Sequence, residues 1–212
     1  MNKPVRIDFV SDVACPWCVV GLRALEQAIH NTGIQVELHF QPFELNPRMA
    51  PEGEDATEHL VRKYGLTPQQ LESNREAIRA RGATLGFTFG PRGRVHNTFD
   101  AHRLLHWAGL EGAQLQRALK HALLQAYHSD GDDVGSGDVL ARIAASIGLD
   151  GARARAILAS DEYAEAVRER ERYYTERGIH AVPAIIFDER SLVSGGQPVE
   201  VFEQALRASA AT

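Results

Sequence analysis

Residues Asp12 to Cys18 read Asp-Val-Ala-Cys-Pro-Trp-Cys, and this stretch decides the fold. Upstream, Pro4 to Val10 alternates Val5, Ile7 and Phe9 against Arg6 and Asp8, the period-two pattern of a strand with one buried face. Downstream, Val19, Leu22, Leu25 and Ile29 recur at three- and four-residue spacing. That spacing predicts an amphipathic helix opening at Pro16 and stopping at Asn31-Thr32-Gly33. Cys15 then falls at the N-cap, Pro16 at the first helical position and Cys18 one turn later. Proline suits that place because its fixed φ matches a helix start and its missing N–H had no partner to lose. The free N–H groups and the positive end of the helix dipole stabilise a thiolate at Cys15. Such settings bring a thiol from about 8.5 down to roughly 3.5–7.5. Residues three apart on a helix are neighbours, within disulfide reach. The reading requires the Cys15 sulfur to be open to solvent and not tied to a metal.

Ile34 to Phe40 alternates again, so strand, helix and strand predict a parallel βαβ unit with a right-handed crossover. After Pro42 helical patterns take over. Asp55 and Glu58 form a capping box for a helix closed by Gly65, and Thr67-Pro68-Gln69-Gln70 opens another that ends at Gly82. Further helices are expected over Phe99 to Ala108, stopped by Gly109, and over Ala113 to Tyr127, Ser136 to Ile147 and Asp161 to Arg177, with no strand among them. Ala184 to Phe187 and Ser191 to Ser194, joined by Asp188-Glu189-Arg190, predict an antiparallel hairpin, followed by a helix from Val199 to about Ala208. The fold class is α/β: βαβ, a long all-helical insertion, then ββα.

Composition bounds the rest. The chain has 212 residues, 44% hydrophobic and 24% charged, the balance of a globular protein with a core of its own. A net charge of −5 leaves no basic field to hold a phosphate backbone, so nucleic acid is not an expected partner. The uncharged stretch Val13 to Leu22 is too short to span a bilayer, and Met1 to Phe9 carries Lys3, Arg6 and Asp8 without the apolar block of a signal peptide. A cytoplasmic protein with no membrane partner is expected. In that compartment the two cysteines, Cys15 and Cys18, call for chemistry rather than a structural staple.

Other readings of the two thiols, and of a later proline, bear on this; an unreactive core pair is disfavoured because a helix N-terminus is electropositive. A zinc site needs two further ligands; His102 and His106 at i, i+4 are the attractive pair, far outside finger-like spacing, and no metal is expected. Val182-Pro183, just before a strand, is either a plain strand start or a cis X–Pro turn that packs beside the cysteines and offers the Val182 backbone to an incoming chain.

The C-x-x-C after strand one, with X-Pro before a later ββα, resembles the thioredoxin fold, and the helical insertion resembles its DsbA branch. Asp12 to Cys18, Pro42-Phe43-Glu44-Leu45-Asn46-Pro47, Asn97 to Leu105, Val182-Pro183-Ala184 and Val193-Ser194-Gly195-Gly196-Gln197 are together similar to the FrnE-like, DsbA-family proteins. That group is related to 2-hydroxychromene-2-carboxylate isomerases and kappa-class glutathione transferases. The resemblance implies a thioredoxin-like part over 1–42 and 179–212 with an inserted helical part over 43–178. It implies Cys15 as attacking thiolate, Cys18 as resolving thiol, Pro183 as cis-proline, and a substrate groove at Pro16, Trp17, Val182 and Pro183. Two departures stand against it. Many thioredoxins keep a buried carboxylate six residues before the first cysteine, where this chain has Phe9, so the acceptor of the Cys18 proton is open. The extra cysteine pair of some FrnE-like proteins is missing.

Other residues have simpler readings. His96, His102 and His106 suit a polar helix face, Asn97-Thr98 a helix cap, and Arg168 to Arg172 with Glu165 and Glu176 a solvated face with i, i+4 pairs. Gly195-Gly196 reads as a turn or helix approach, with Gln197 able to contribute to a glutathione-like anion site.

The expected function is thiol–disulfide oxidoreductase and isomerase chemistry on a disulfide- or thiol-containing protein or small molecule. No cofactor is expected beyond the Cys15–Cys18 pair, with glutathione a candidate co-substrate and a dimer an open option. The alternative is a glutathione-dependent isomerase or transferase, in whose relatives Ser usually takes the nucleophile position. A non-catalytic module that holds partners in its insertion groove ranks third.

Overall fold

The computed structural model describes residues 3–211. Strand β1 (Val5–Ser11) leads into helix α1 (Pro16–Thr32) and strand β2 (Val36–Pro42), and β1 and β2 pair in parallel with Phe9 opposite Phe40. Near the other end, β5 (Ala184–Phe187) and β6 (Ser191–Ser194) form the hairpin, followed by α9 (Val199–Ala210). The strand order β2-β1-β5-β6 puts β1 at the centre, antiparallel to β5. Strand β2 starts two residues later than its alternation suggested. Gly33 takes a left-handed conformation, and Gln35 is spent in the turn, its carbonyl accepting from Val5 N–H. Asp188 and Glu189 supply the positive φ of the hairpin turn.

Between β2 and β5 run α2 (Ala56–Tyr64), α3 (Pro68–Thr84), α4 (Phe99–Glu111), α5 (Ala113–Gln125) with a π-helical turn at Ala126–Asp130, α6 (Gly137–Ser146), α7 (Gly151–Leu158) and α8 (Ala164–Glu176). The caps read from sequence at Asp55, Gly65 and Thr67/Gln70 all form. Five expectations need correction. Gly82 and Gly109 do not stop their helices: each lacks a Cβ so that a neighbour can approach, the Phe89 ring at Gly82 and the Gln116 amide at Gly109. Helix α7 was not expected, although Asp150 caps it by accepting from Ala152 and Arg153 N–H. Tyr163, in a left-handed conformation, delays α8 to Ala164. Two-residue strands β3 (Glu54–Asp55) and β4 (Arg94–Val95) pair within the helical run.

The core has two main parts. One joins β1, β2, β5, α1 and α9 through Ile7, Phe9, Leu22, Phe40, Phe187 and Phe202, and takes in Phe87 and Leu124 from the helical run. The other is helical, around Leu104, Leu119, Leu123, Leu140 and Ile157, and takes in Val13 and Ala14 from the loop after β1. That loop is thus packed into both. Phe9 is fully buried at the centre of the sheet, edge to the Phe40 ring. Phe9→Ala should cost about 3–5 kcal/mol of stability, read as a lowered midpoint in urea unfolding.

Candidate functional site

The loop from β1 to α1 is clasped from many directions. Asp12 Oδ1 accepts from Ala14 N–H (3.1 Å) and Asp12 Oδ2 from Leu45 N–H (2.7 Å). His128 Nε2 donates to the Val13 carbonyl (2.8 Å), and Arg92 Nη1 to the Ala14 carbonyl (3.1 Å). Cys15 follows as the N-cap of α1 in extended backbone with Pro16 next, and Cys18 N–H donates to the Cys15 carbonyl (3.0 Å). Both cysteines are free thiols.

The Val182–Pro183 peptide is cis, and the Cys15 thiol donates to the Val182 carbonyl at 3.6 Å. Pro183 packs over α1 at Gly21, where a Cβ would sit 3.0 Å from the proline ring. Gly195 makes a positive-φ turn, while Gly196 lets the next loop lie against the first turn of α1, where a Cβ would meet the Trp17 ring at 3.1 Å. Pro16, Trp17, Val182 and Pro183 therefore surround the thiols, with Trp17 exposed (38%).

Cys15 sits deeper than the sequence suggested. It keeps 4% of its surface, because Val182 folds back over the helix start, whereas Cys18 keeps none. Acidity is split between them. The hydrogen bond from the Cys18 thiol, with the N–H groups of Cys18 and Trp17, holds Cys15 below the usual thiol range against burial and the charge of Asp12. Burial, then the neighbouring Cys15, pushes Cys18 well above it. Burial also works to raise Asp12, but His102, the Leu45 N–H and Thr98 outweigh it and hold the carboxylate low.

Of the histidines weighed as ligands, His102 Nε2 stands 3.5 Å from Asp12 Oδ1, His106 lies against the Tyr163 ring, and His96 pairs with Asp133. Among the described residues no group of three or more His, Cys, Asp and Glu is arranged to hold a metal. Asn97, not Thr98, supplies the side-chain bond at the start of α4, accepting from Phe99 N–H (2.9 Å). The arginine run is not merely solvated either: Arg168 pairs with buried Glu44 and with Glu171, and stacks on Phe99 at 3.8 Å. Sequence reasoning missed two residues near the thiols, the buried His128 and the fully buried Lys120. Lys120 lies in the amphipathic helix α5 and His128 in the π-helical turn that continues it, where nothing local signals burial.

A four-stranded mixed sheet, a helix starting at paired thiols and a cis-proline beside them define a thioredoxin-fold protein. The model of the DSBA-like thioredoxin domain matches residues 6–207. The chain belongs to that family of thiol–disulfide oxidoreductases. A crystal structure of a probable DsbA oxidoreductase from Streptomyces coelicolor superposes at a TM-score of 0.89 with 35% identity, over 97% of this chain and 89% of that one. The YwbO protein of Bacillus subtilis is 28% identical over 204 residues, 95% of this chain and 96% of that one. The cytosolic disulfide reductase DsbM of Pseudomonas aeruginosa, solved with GSH, shares the fold at a TM-score of 0.66 and 19% identity, over 98% of this chain and all (100%) of that one. Among the described residues no helix is long and apolar enough to cross a membrane.

Two outcomes follow. Iodoacetamide at neutral pH should label Cys15 and spare Cys18 until the chain is unfolded, with a rate midpoint for Cys15 below about 8.5; equal labelling by peptide mass spectrometry would contradict the split. Burial, helped by Arg92, holds His128 down at about 3, against about 6.5 when unfolded. The unfolded chain therefore binds the extra proton first. Stability should be full above pH 6.5 and fall by a few kcal/mol towards pH 3, and His128→Gln should flatten that slope in urea titrations.

Proposed function

We propose that the chain exchanges disulfides through Cys15 and Cys18. The Cys15 thiolate attacks a substrate disulfide, one substrate sulfur leaves, and a mixed disulfide forms. Cys18 then attacks Cys15, releasing the second substrate thiol and leaving the Cys15–Cys18 bridge. In reverse the bridge oxidises a dithiol. The observation that carries this reading is the Cys15 thiol at the start of α1, 3.6 Å from the Val182 carbonyl, with Cys18 directly behind it. A substrate chain meets Pro16, Trp17, Val182 and Pro183 first, and pairing with the Val182 backbone would shift the cover that leaves Cys15 only 4% exposed.

Substrates are protein or small-molecule disulfides and thiols. Glutathione as a co-substrate, and a cytoplasmic place of work, draw support from the likeness to DsbM. The second thiol favours exchange over glutathione-dependent isomerisation, a reaction that needs no resolving sulfur in the protein.

Cys15→Ser should abolish insulin-disulfide reduction and dithiol oxidation alike. Cys18→Ala should instead trap a mixed disulfide at Cys15, visible as a mass adduct. Full activity in Cys15→Ser would overturn the proposal.

A further inference from the structure

Exchange leaves one buried group without a task. Lys120 is 0% exposed, and lysine is rarely withdrawn from water so completely. Its neighbours along the helix fix its place. Gln116, Lys120, Leu124 and His128 follow at four-residue intervals on one face of α5 and the π-helical turn that continues it. Gln116 bonds Phe40 N–H and C=O (3.2 and 3.3 Å), Leu124 packs in the cluster holding Cys15 and Cys18, and His128 bonds the Val13 carbonyl (2.8 Å). Lys120 lies between these anchors and lines a cavity with Phe40 and Gln41 of β2.

We propose that Lys120 is the buried base that takes the proton of Cys18 when Cys18 attacks the mixed disulfide. The inference rests on the exchange reading above. In the step, the Cys18 S–H proton passes to the Lys120 amine and the Cys18 sulfur bonds to Cys15 Sγ. The bond from Cys15 to the substrate breaks, and the substrate sulfur leaves as a thiolate with the electron pair. Lys120 becomes an ammonium, and the reverse reaction returns the proton to Cys18. This supplies the acceptor that Phe9 cannot be.

The surroundings fit. The charges that reach Lys120 are those of Cys18, Asp12 and Cys15, in that order. Burial pushes its ammonium below the usual lysine range, and pushes the Cys18 thiol well above its own. His102 beside Asp12, and His128 on the same helical face, are the other titratable groups on the thiol side. The cavity that Lys120 lines, of about 260 Å³, is also lined by His39, His102, His106 and Arg170, a polar route for the proton to water.

The test isolates the resolving step. The chain is loaded at Cys15 with 2-nitro-5-thiobenzoate, and release of the dye by Cys18 is followed by stopped flow from pH 5 to 10. Lys120→Met should slow release about a hundredfold at pH 7, approach the parent rate near pH 10 as hydroxide replaces the amine, and leave loading of Cys15 unchanged. Release unaffected at every pH, or slowed by one constant factor throughout, would overturn the role of Lys120. Failure of Cys15 to load in the parent chain would instead overturn the exchange reading. Should Lys120→Met not fold, ¹⁵N-lysine spectra of the parent chain carry the test: the Lys120 Nζ titration should move when Cys18→Ala removes the thiol, and an unmoved midpoint would refute the coupling.

Discussion

The structure depends on holding a few backbone amides still at the start of α1. A thiolate at Cys15 is stabilised by N–H groups of Cys18 and Trp17 and by the Cys18 thiol, and such dipoles help only where they are already aimed. The loop that aims them spans Asp12 to Cys15, and its backbone is gripped at Val13 by His128, at Ala14 by Arg92 and by Asp12 itself, and through Asp12 at Leu45. Three of those partners, at positions 45, 92 and 128, come from the long run between β2 and β5. The helical run is therefore part of the thiol site, and Val13 and Ala14 sit in its core as surely as Cys15 and Cys18 sit in the core of the sheet.

What could be read in the sequence was whatever is decided locally. The alternation of Val5, Ile7 and Phe9, the proline after Cys15, the Asp55 cap (formed without the reciprocal Glu58 bond) and the box at Thr67 each depend on a handful of neighbours. The two misjudged helix ends have one cause. A glycine that ends a helix and a glycine that admits a neighbour look alike in a sequence, and the Phe89 ring and the Gln116 amide that separate the cases arrive from elsewhere. Lys120 was illegible for the same reason: in Arg117-Ala118-Leu119-Lys120-His121 it reads as part of the polar face, and only the approach of β2 shows it to be inside. The cis Val182–Pro183 bond was half legible, since a proline before a strand suits either isomer and packing against Gly21 is a tertiary fact.

Around the thiols the chain buries Asp12, His102, Lys120 and His128, polar groups that an apolar core would not need. Each costs desolvation. Asp12 and His128 offset part of that cost through the bonds that hold the loop. The shifts follow a pattern: two anions, Asp12 and Cys15, are favoured at the helix start, while Cys18, Lys120 and His128 are pushed towards neutrality.

That asymmetry bears on which way disulfides move. Stabilising the Cys15 thiolate favours the reduced protein and makes its bridge more oxidising. Asp12 acts against this, because its charge raises Cys15, and it cannot be dispensed with, because its two oxygens hold Ala14 and Leu45. The residue that builds the helix start thus also limits how acidic the thiol there becomes. At Cys18, by contrast, Lys120 and the Asp12 backbone both lower a thiol that burial and the neighbouring Cys15 raise. A carboxylate required by the loop thus acts on Cys15, and an amine brought in by α5 acts on Cys18.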